Sequence, residues 1–500
     1  MKTSSLFKAA GAARAVAGAL VLFLCVGAVS AQGYKEAKVD EALAGQKSAV
    51  IGGGDAAAVK NFLTKYYLAR WTVQANGASL HTYREELIAD GASLNGAAQE
   101  TFLKEAVDAL TKYAASKDCY PACRYNAVLA IGTLDVKAAQ ERNGVGTPYP
   151  GAIKTLANFC TSDKEFPDYV RLGALVGLTR HAAIGIEDET LRNGARKVFS
   201  TILDSKYATE KKLRPEIGEW FQQKALEGLV AFKTPEGADG PTGTLDLLKK
   251  MVDDDKLDFE LRAIAARGIG AMDLTKVQNW DSVALATSLT TLARDFCVSE
   301  SAHIDSELLR EQVKSAAATT GATGGMGGGA TSGGPGGGMA MGGGMGGMSG
   351  QQSQKSLEAM VARVQYGFDS VQAAIKGVDG GSGLLVVLGG AVEKKPGGKK
   401  APAEEVKIDP EDKVAVAREM LNSVLEEIKN TNQFIAEGPQ NPAGMMGMGG
   451  AGAYAAMQMQ GGRGGRGGGA TVIMVDSSSM KDHLLQQKLR YNALLGVDSY

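Results

Sequence analysis

Five cysteines and four histidines are the residues through which this 500-residue chain could do nucleophilic, redox or metal chemistry. Cys25 lies in an apolar amino-terminal run, which leaves Cys119, Cys123, Cys160 and Cys297. Cys119 and Cys123 are four apart, a separation open to a metal or redox pair. It is not Cys-x-x-Cys, and no second ligand cluster answers it. An even number of cysteines in an exported chain permits disulfides. The favoured reading is one local staple drawn from Cys119, Cys123 and Cys160, with Cys297 a buried free thiol. His81, His181, His303 and His483 are far apart, and no His-x-x-x-His pair exists, so the commonest zinc signatures are missing. His81 and Glu85 read as a solvated helical pair. No Gly-x-Ser-x-Gly elbow or Ser-His-Asp order accompanies them. The residues argue for no enzyme, no catalytic set, no cofactor and no built metal site.

Four further patterns have a chemical reading and a plainer one. Met326, Met339, Met341, Met345 and Met348 lie in one glycine tract, and Met445, Met446, Met448, Met457 and Met459 in another. Thioethers suit Cu(I), which makes a periplasmic metal-handling protein the alternative function. The tracts lack histidine and are of low complexity, so the linker reading is preferred. Arg463 and Arg466 sit in Arg-Gly-Gly context, but two arginines without interleaved aromatics are a poor nucleic-acid footprint. Gly52, Gly53 and Gly54 precede a helix without Gly-Lys-Ser/Thr after them, so Asp55 reads as an N-cap and not as part of a phosphate cradle. Asp253, Asp254, Asp255 and Asp258 lack the glycine and closing glutamate of a calcium loop and read as turn and capping residues.

The elements that would have to position these residues are nearly all helical. The net charge of −1 exerts no general pull toward nucleic acid or an anionic membrane, and 44% apolar residues suffice for a sizeable core. Residues 1–31 read as a secretory signal peptide: Lys2, Lys8 and Arg14 flank an uncharged run at 15–29, and Val29-Ser30-Ala31 fits the cleavage pattern. An uncleaved anchor is the competing reading. No later stretch is apolar enough to span a bilayer, so the mature protein is expected to be free of the membrane, periplasmic or secreted.

From about residue 80 the chain reads as helix pairs. The first helices run near 101–115, 152–159, 198–203, 245–252 and 283–296. Their second members run near 121–134, 169–178, 220–232, 259–269 and 308–318. Aligning the second helices on Ala127, Ala174, Ala225 and Ala265 gives separations of 47, 51 and 40 residues, the period of helical-pair solenoids. Arg124, Arg171 and Arg262 each stand three residues before the aligned alanine; the third unit has Gln222 there. These units resemble irregular HEAT repeats of an exported bacterial protein, in which Asp-x-x-x-Val-Arg-x-x-Ala recurs. The resemblance covers roughly residues 80–320 and implies an α-solenoid and an interaction scaffold. The repeated arginines are expected to be structural, bridging to acidic turn residues of an adjacent unit, in preference to forming a partner-binding ladder.

The expected fold class is all-α: a HEAT-like α-solenoid with a C-terminal helical hairpin and long Gly/Met-rich disordered tracts. Its expected divisions are signal peptide 1–31, polar lead and capping helix 32–79, repeats 80–320 and linker 321–352. A hairpin with an irregular insertion at 353–437, a second linker at 438–469 and a terminal strand and helix at 470–500 complete them. Leu357, Val361, Val364, Phe368, Val371, Ile375 and Val378 mark one heptad seam, and Val414, Ala417, Leu421, Val424, Ile428, Thr431 and Ile435 the other. The expected function is non-enzymatic binding of a protein partner on the solenoid surface, with self-association through the hairpin as a further contact.

Overall fold

A computed structural model describes residues 33–51, 55–139, 145–162, 166–204, 206–278, 280–323, 347–389, 412–437 and 476–497. The leader expected at 1–31, glycines 52–54, most of both glycine tracts and the strand expected at 470–475 lie outside the described residues. The described chain is almost entirely helical; its strands are one short antiparallel pair. No described helix is long and apolar enough to cross a membrane. Two compact units divide the chain, Met1–Leu191 and Arg192–Tyr500.

The first unit opens with α1 (Lys47–Ile51) and α2 (Ala56–Phe62). Asp55 caps α2 as expected, its carboxylate accepting from the Ala58 amide at 2.7 Å. Leu63–Tyr67 continue as a single π turn, a device often kept where side chains must be aimed. Just beyond it Arg70 lies over the rings of Tyr66, Tyr67 and Tyr83, at 4.8, 5.0 and 4.5 Å. The buried Tyr67 hydroxyl donates to Asp90 at 2.7 Å, and Lys47 reaches the same carboxylate oxygen at 2.7 Å.

Helix pairs follow: α3 (Leu80–Ser93), α4 (Gly96–Ala115) and α5 (Pro121–Thr133), then α6 (Ala152–Thr161) and α7 (Asp168–Ile184). Strands β1 (Asp135–Lys137) and β2 (Thr147–Pro148) lie between α5 and α6. In α4 the buried stripe is Phe102, Leu103, Ala106, Val107 and Leu110, the helical face read from the sequence. Burying each large member contributes about 1.5–3 kcal/mol. Pro121 starts α5 at a position where its missing N–H costs nothing. Helices α5 and α7 meet backbone to backbone: a Cβ on Gly132 would lie 2.5 Å from the Gly177 Cα. Arg180 of α7 clamps the end of α5, with both oxygens of Asp135 at 2.7 and 2.9 Å and the Gly132 carbonyl at 3.3 Å.

In the second unit, α8 (Glu189–Leu203, whose first turn holds the division), the short α9 (Tyr207–Glu210) and α10 (Pro215–Val230) precede α11 (Gly243–Asp253) and α12 (Phe259–Gly270). Helix α12 packs on both α10 and α11. The sequence reads a fifth pair at 283–296 and 308–318. The chain instead forms one 42-residue helix, α13 (Ser282–Thr323). Its neighbour is α14 (Gly347–Lys376), the first helix of the expected hairpin, which packs closely on α12. The reason lies in backbone contact. The Val378 amide donates to the Gly270 carbonyl at 2.9 Å, the Ser382 amide to the Met272 carbonyl at 3.0 Å, and a Cβ on Gly270 would strike Ala373.

After the short α15 (Gly383–Val387) come α16 (Lys413–Glu437) and α17 (Ser477–Leu494), both packed on α13. Both heptad seams are buried from Met360 to Ile375 and from Ala417 to Ile435, and they interlock with α13, whereas Val414 is exposed. In α17 the inward face is Met480, Leu484, Gln487 and Tyr491; Leu485 and Leu489 are exposed.

Candidate functional site

The three repeated arginines are buried, and each spends its Nε on a backbone carbonyl. Arg124 donates to Ala114 at the end of α4, and Arg262 to Val252 at the end of α11, both at 3.0 Å and both ten residues back. Arg171 donates to Phe166, in the turn before α7, at 3.1 Å. A cation at a helix C-terminus satisfies an orphan carbonyl and opposes the negative end of the dipole. The acceptors are carbonyls of the arginine's own helix pair. Arg262 also takes an acidic side chain, Asp295 on α13, at 3.0 Å. In the third unit, where Gln222 stands, the buried arginine comes from the first helix: Arg196 of α8 reaches Asn193 at 3.1 Å and Thr234 at 2.5 Å. Sequence alignment on the second helices could not show this substitute.

All four described cysteines are thiols and buried. Cys119 lies in the turn between α4 and α5 and Cys123 in the first turn of α5, and hydrogen bonding with Cys123 is the largest influence on the Cys119 thiol. That bond, with help from the Ser116 hydroxyl and Arg124, brings the Cys119 thiol down to about 7 against the opposing effect of burial. Cys123 is pushed up, first as the donor in that bond and then by burial. Cys160 belongs to α6; its thiol faces the Arg171 carbonyl at 3.9 Å, and burial pushes it up to about 12. Burial likewise raises Cys297 on α13. The structure thus brings two of the three candidate disulfide cysteines together and places the third in another pair.

The other candidates resolve as local structure. Asp258 caps α12 by accepting from the Glu260 amide at 2.7 Å, Asp254 accepts from the Lys256 amide at 3.1 Å, and Asp253 pairs with Lys249 at 2.8 Å. His81 and Glu85 are 3.5 Å apart and exposed. His483 of α17 stacks on Phe434 with ring centroids 4.3 Å apart, and it shares a hydrogen bond with Thr431. Among the described residues no group of three or more His, Cys, Asp or Glu gathers as ligands. A recess of about 370 Å³ beside α8 is lined by Lys197, Asp204, Lys206, Glu210 and Asp239, charges of both signs. Nine of the ten tract methionines lie outside the described residues; of Met348, at the start of α14, only the backbone is described.

Sequence reasoning missed an aromatic band on the first unit. Tyr83 of α3, Tyr125 of α5 and Tyr169 of α7 each lie in the first turns of their helices and are partly exposed. Leu129, Leu172 and Val176 continue the same helix faces, and Val176 is 38% exposed. Neighbouring helices are tied at this level. The Arg124 guanidinium lies 5.7 Å from the Tyr169 ring, Arg84 donates to Asn126 at 2.8 Å, and Gly173 leaves room for Tyr125 and Val128. The recoverable signal was a tyrosine within two residues of an arginine at each of these helix starts. No family profile, curated protein or solved structure matches the chain.

Proposed function

We propose that this protein is an exported, non-enzymatic scaffold whose stacked helix pairs form a HEAT-like solenoid and bind a protein partner. The observation that carries this reading is the partly exposed Tyr/Leu/Val band across α3, α5 and α7. Tyrosine and arginine dominate the energetic centres of protein interfaces, because they bury large areas at little entropic cost and keep a polar handle. The band sits on helices fixed by the Gly132–Gly177 contact and by buried arginines bonded to backbone, so the surface is formed before a partner arrives. Export is supported by the charged flank, apolar run and small-residue site at 1–31.

Photocrosslinking tests the reading. Benzoylphenylalanine placed at Leu129 or Val176 should yield the same light-dependent protein adduct in the native envelope. The same residue at Lys154, exposed on α6, should not. Absence of an adduct from both band positions, or equal capture from Lys154, removes the proposal.

A further inference from the structure

We propose that Asn95–Gly96, the junction between α3 and α4, is a site of covalent self-modification. Asn95 loses its side-chain amide as ammonia, closes a succinimide with the Gly96 nitrogen, and emerges as isoaspartate or aspartate. The inference is independent of the scaffold reading.

This chemistry needs a following residue without a Cβ, a main-chain nitrogen free to attack, and an amide side chain not held elsewhere. Asn-Gly occurs at 76–77, 95–96, 143–144 and 193–194, of which 143–144 lies outside the described residues. Among the described pairs, Asn95–Gly96 meets every condition. Both residues are exposed, and the Asn95 side chain gives α4 no capping bond. Gly96 is the first residue of α4, so its N–H is one of the donors that a helix leaves without an intrahelical acceptor. Its φ of +58° is a left-handed value that glycine adopts without strain, and an added Cβ would meet nothing within 4 Å. Asn95 itself is extended, with φ −136° and ψ 155°. Rotation that brings the Gly96 nitrogen onto the Asn95 Cγ therefore opens only the frayed start of a helix.

The other two described pairs are held. Asn76 is half-buried, and its Nδ2 donates to the Arg70 carbonyl at 3.0 Å. The Tyr120 ring lies 3.9 Å from where a Cβ on Gly77 would stand. Asn193 is exposed, but its Oδ1 accepts from Arg196 at 3.1 Å. Gly194 stands past the first turn of α8, where backbone amides are taken by the helical ladder, so cyclisation there has to open the helix interior. The products at 95 act oppositely on α4. Its first turn has no acidic residue, so aspartate supplies the charge and the acceptor that this helix start lacks. Isoaspartate adds a backbone carbon between the buried Leu94 and Gln99, whose amide bridges the Gly91 and Val136 carbonyls at 3.0 and 2.8 Å. The α3–α4 turn has to re-form around it.

The step balances with water as the only co-reactant. The Gly96 nitrogen gives its proton to solvent and bonds to the Asn95 Cγ. The Cγ–Nδ2 bond breaks, and the nitrogen takes a proton back and leaves as ammonia. Water then opens the five-membered imide. Attack at Cγ breaks the new C–N bond and leaves aspartate in the original main chain. Attack at the main-chain carbonyl breaks the original peptide bond and leaves isoaspartate, whose backbone runs through Cβ and Cγ. Water enters, ammonia leaves, and nothing is oxidised or reduced.

The test incubates the full chain, native, in mildly alkaline buffer, beside a sample in denaturant, and follows tryptic peptides by mass. Cleavage after Arg70, Arg84, Lys104, Arg192 and Arg196 puts Asn76, Asn95 and Asn193 on separate peptides. In the native sample the Asn95 peptide should gain the mass of an acid replacing an amide, roughly tenfold faster than the other two, which wait on local opening. It should also split into two species of that mass. One should co-elute with the peptide from an Asn95→Asp variant, and the other should be methylated by a protein isoaspartyl methyltransferase. In denaturant all three peptides should convert at similar rates. Should Asn95 stay unchanged in the native protein while it converts in denaturant, or should Asn76 or Asn193 keep pace with it in the native protein, the proposal is overturned.

Discussion

His181 on α7 should make the first unit acid-labile, and the size of the effect can be worked out. Its ring is 2% exposed, and its Nε2 has no partner among the described residues. Burial, with a smaller contribution from the neighbouring Arg180 charge, lowers its pKa from the ordinary 6.5 to about 4. The folded protein therefore holds His181 neutral, while the unfolded chain takes up a proton below pH 6.5. Stability from this group is fully present above that value and is lost as pH falls toward 4. At pH 4.5 the loss is about 2.5 kcal/mol relative to neutral pH. Hydrogen exchange on α7 peptides of the full chain, at pH 7.5 and 4.5, reads it directly. His181→Gln carries a packing cost that is the same at both pH values and no titration. Wild type should lose about 2 kcal/mol more than the variant between the two conditions. Equal losses would refute the reasoning.

Gly132→Ala forces α5 and α7 apart, because its Cβ would meet the Gly177 backbone at 2.5 Å; a loss of about 1–3 kcal/mol is expected in thermal unfolding. Gly194→Ala, inside α8 with nothing within 4 Å of the added carbon, should stabilise by about 0.5–1 kcal/mol in the same assay. Arg262→Met strips the Val252 carbonyl of its buried donor and should cost about 2–4 kcal/mol by urea titration. Asp295→Asn should cost much less, since it leaves the Arg262 bond to the Val252 carbonyl in place and keeps an oxygen acceptor.

The helix pairs up to α12 were legible because each carries a 3.6-residue apolar stripe, and the second helices share an arginine and small residues. The fifth pair was misread for a physical reason. Its two helices, α13 and α14, are separated by the 23 residues 324–346 outside the description, so the period of 40–51 residues breaks there. A composition change looks like a domain boundary even when the next helix packs back on an earlier one, as α14 does on α12. Gly270 and Gly381, which admit that return, look like ordinary punctuation in sequence. In α17 the apolar Leu485 and Leu489 stay exposed, while Gln487 is buried and His483 stacks on Phe434 and shares a hydrogen bond with Thr431 of α16. The carbonyl acceptors of the three arginines could not be read ahead, since backbone carbonyls have no letter in a sequence. The thiol pair was visible as a spacing of four. That Cys119 falls in the turn at Ser116–Tyr120, outside the helix that holds Cys123, is something spacing does not specify.

The acceptors chosen by Arg124 and Arg262 bear on how such a chain can change. A salt bridge needs two cooperating side chains and is lost when either drifts. A carbonyl is supplied by whatever residue occupies the position, so the acceptors at 114 and 252 do not depend on the identity of the side chain there. At these two arginines the bond to the backbone commits one side chain. Units built in this way can be duplicated, exchanged or redecorated on their exposed faces without first co-ordinating a partner mutation next door.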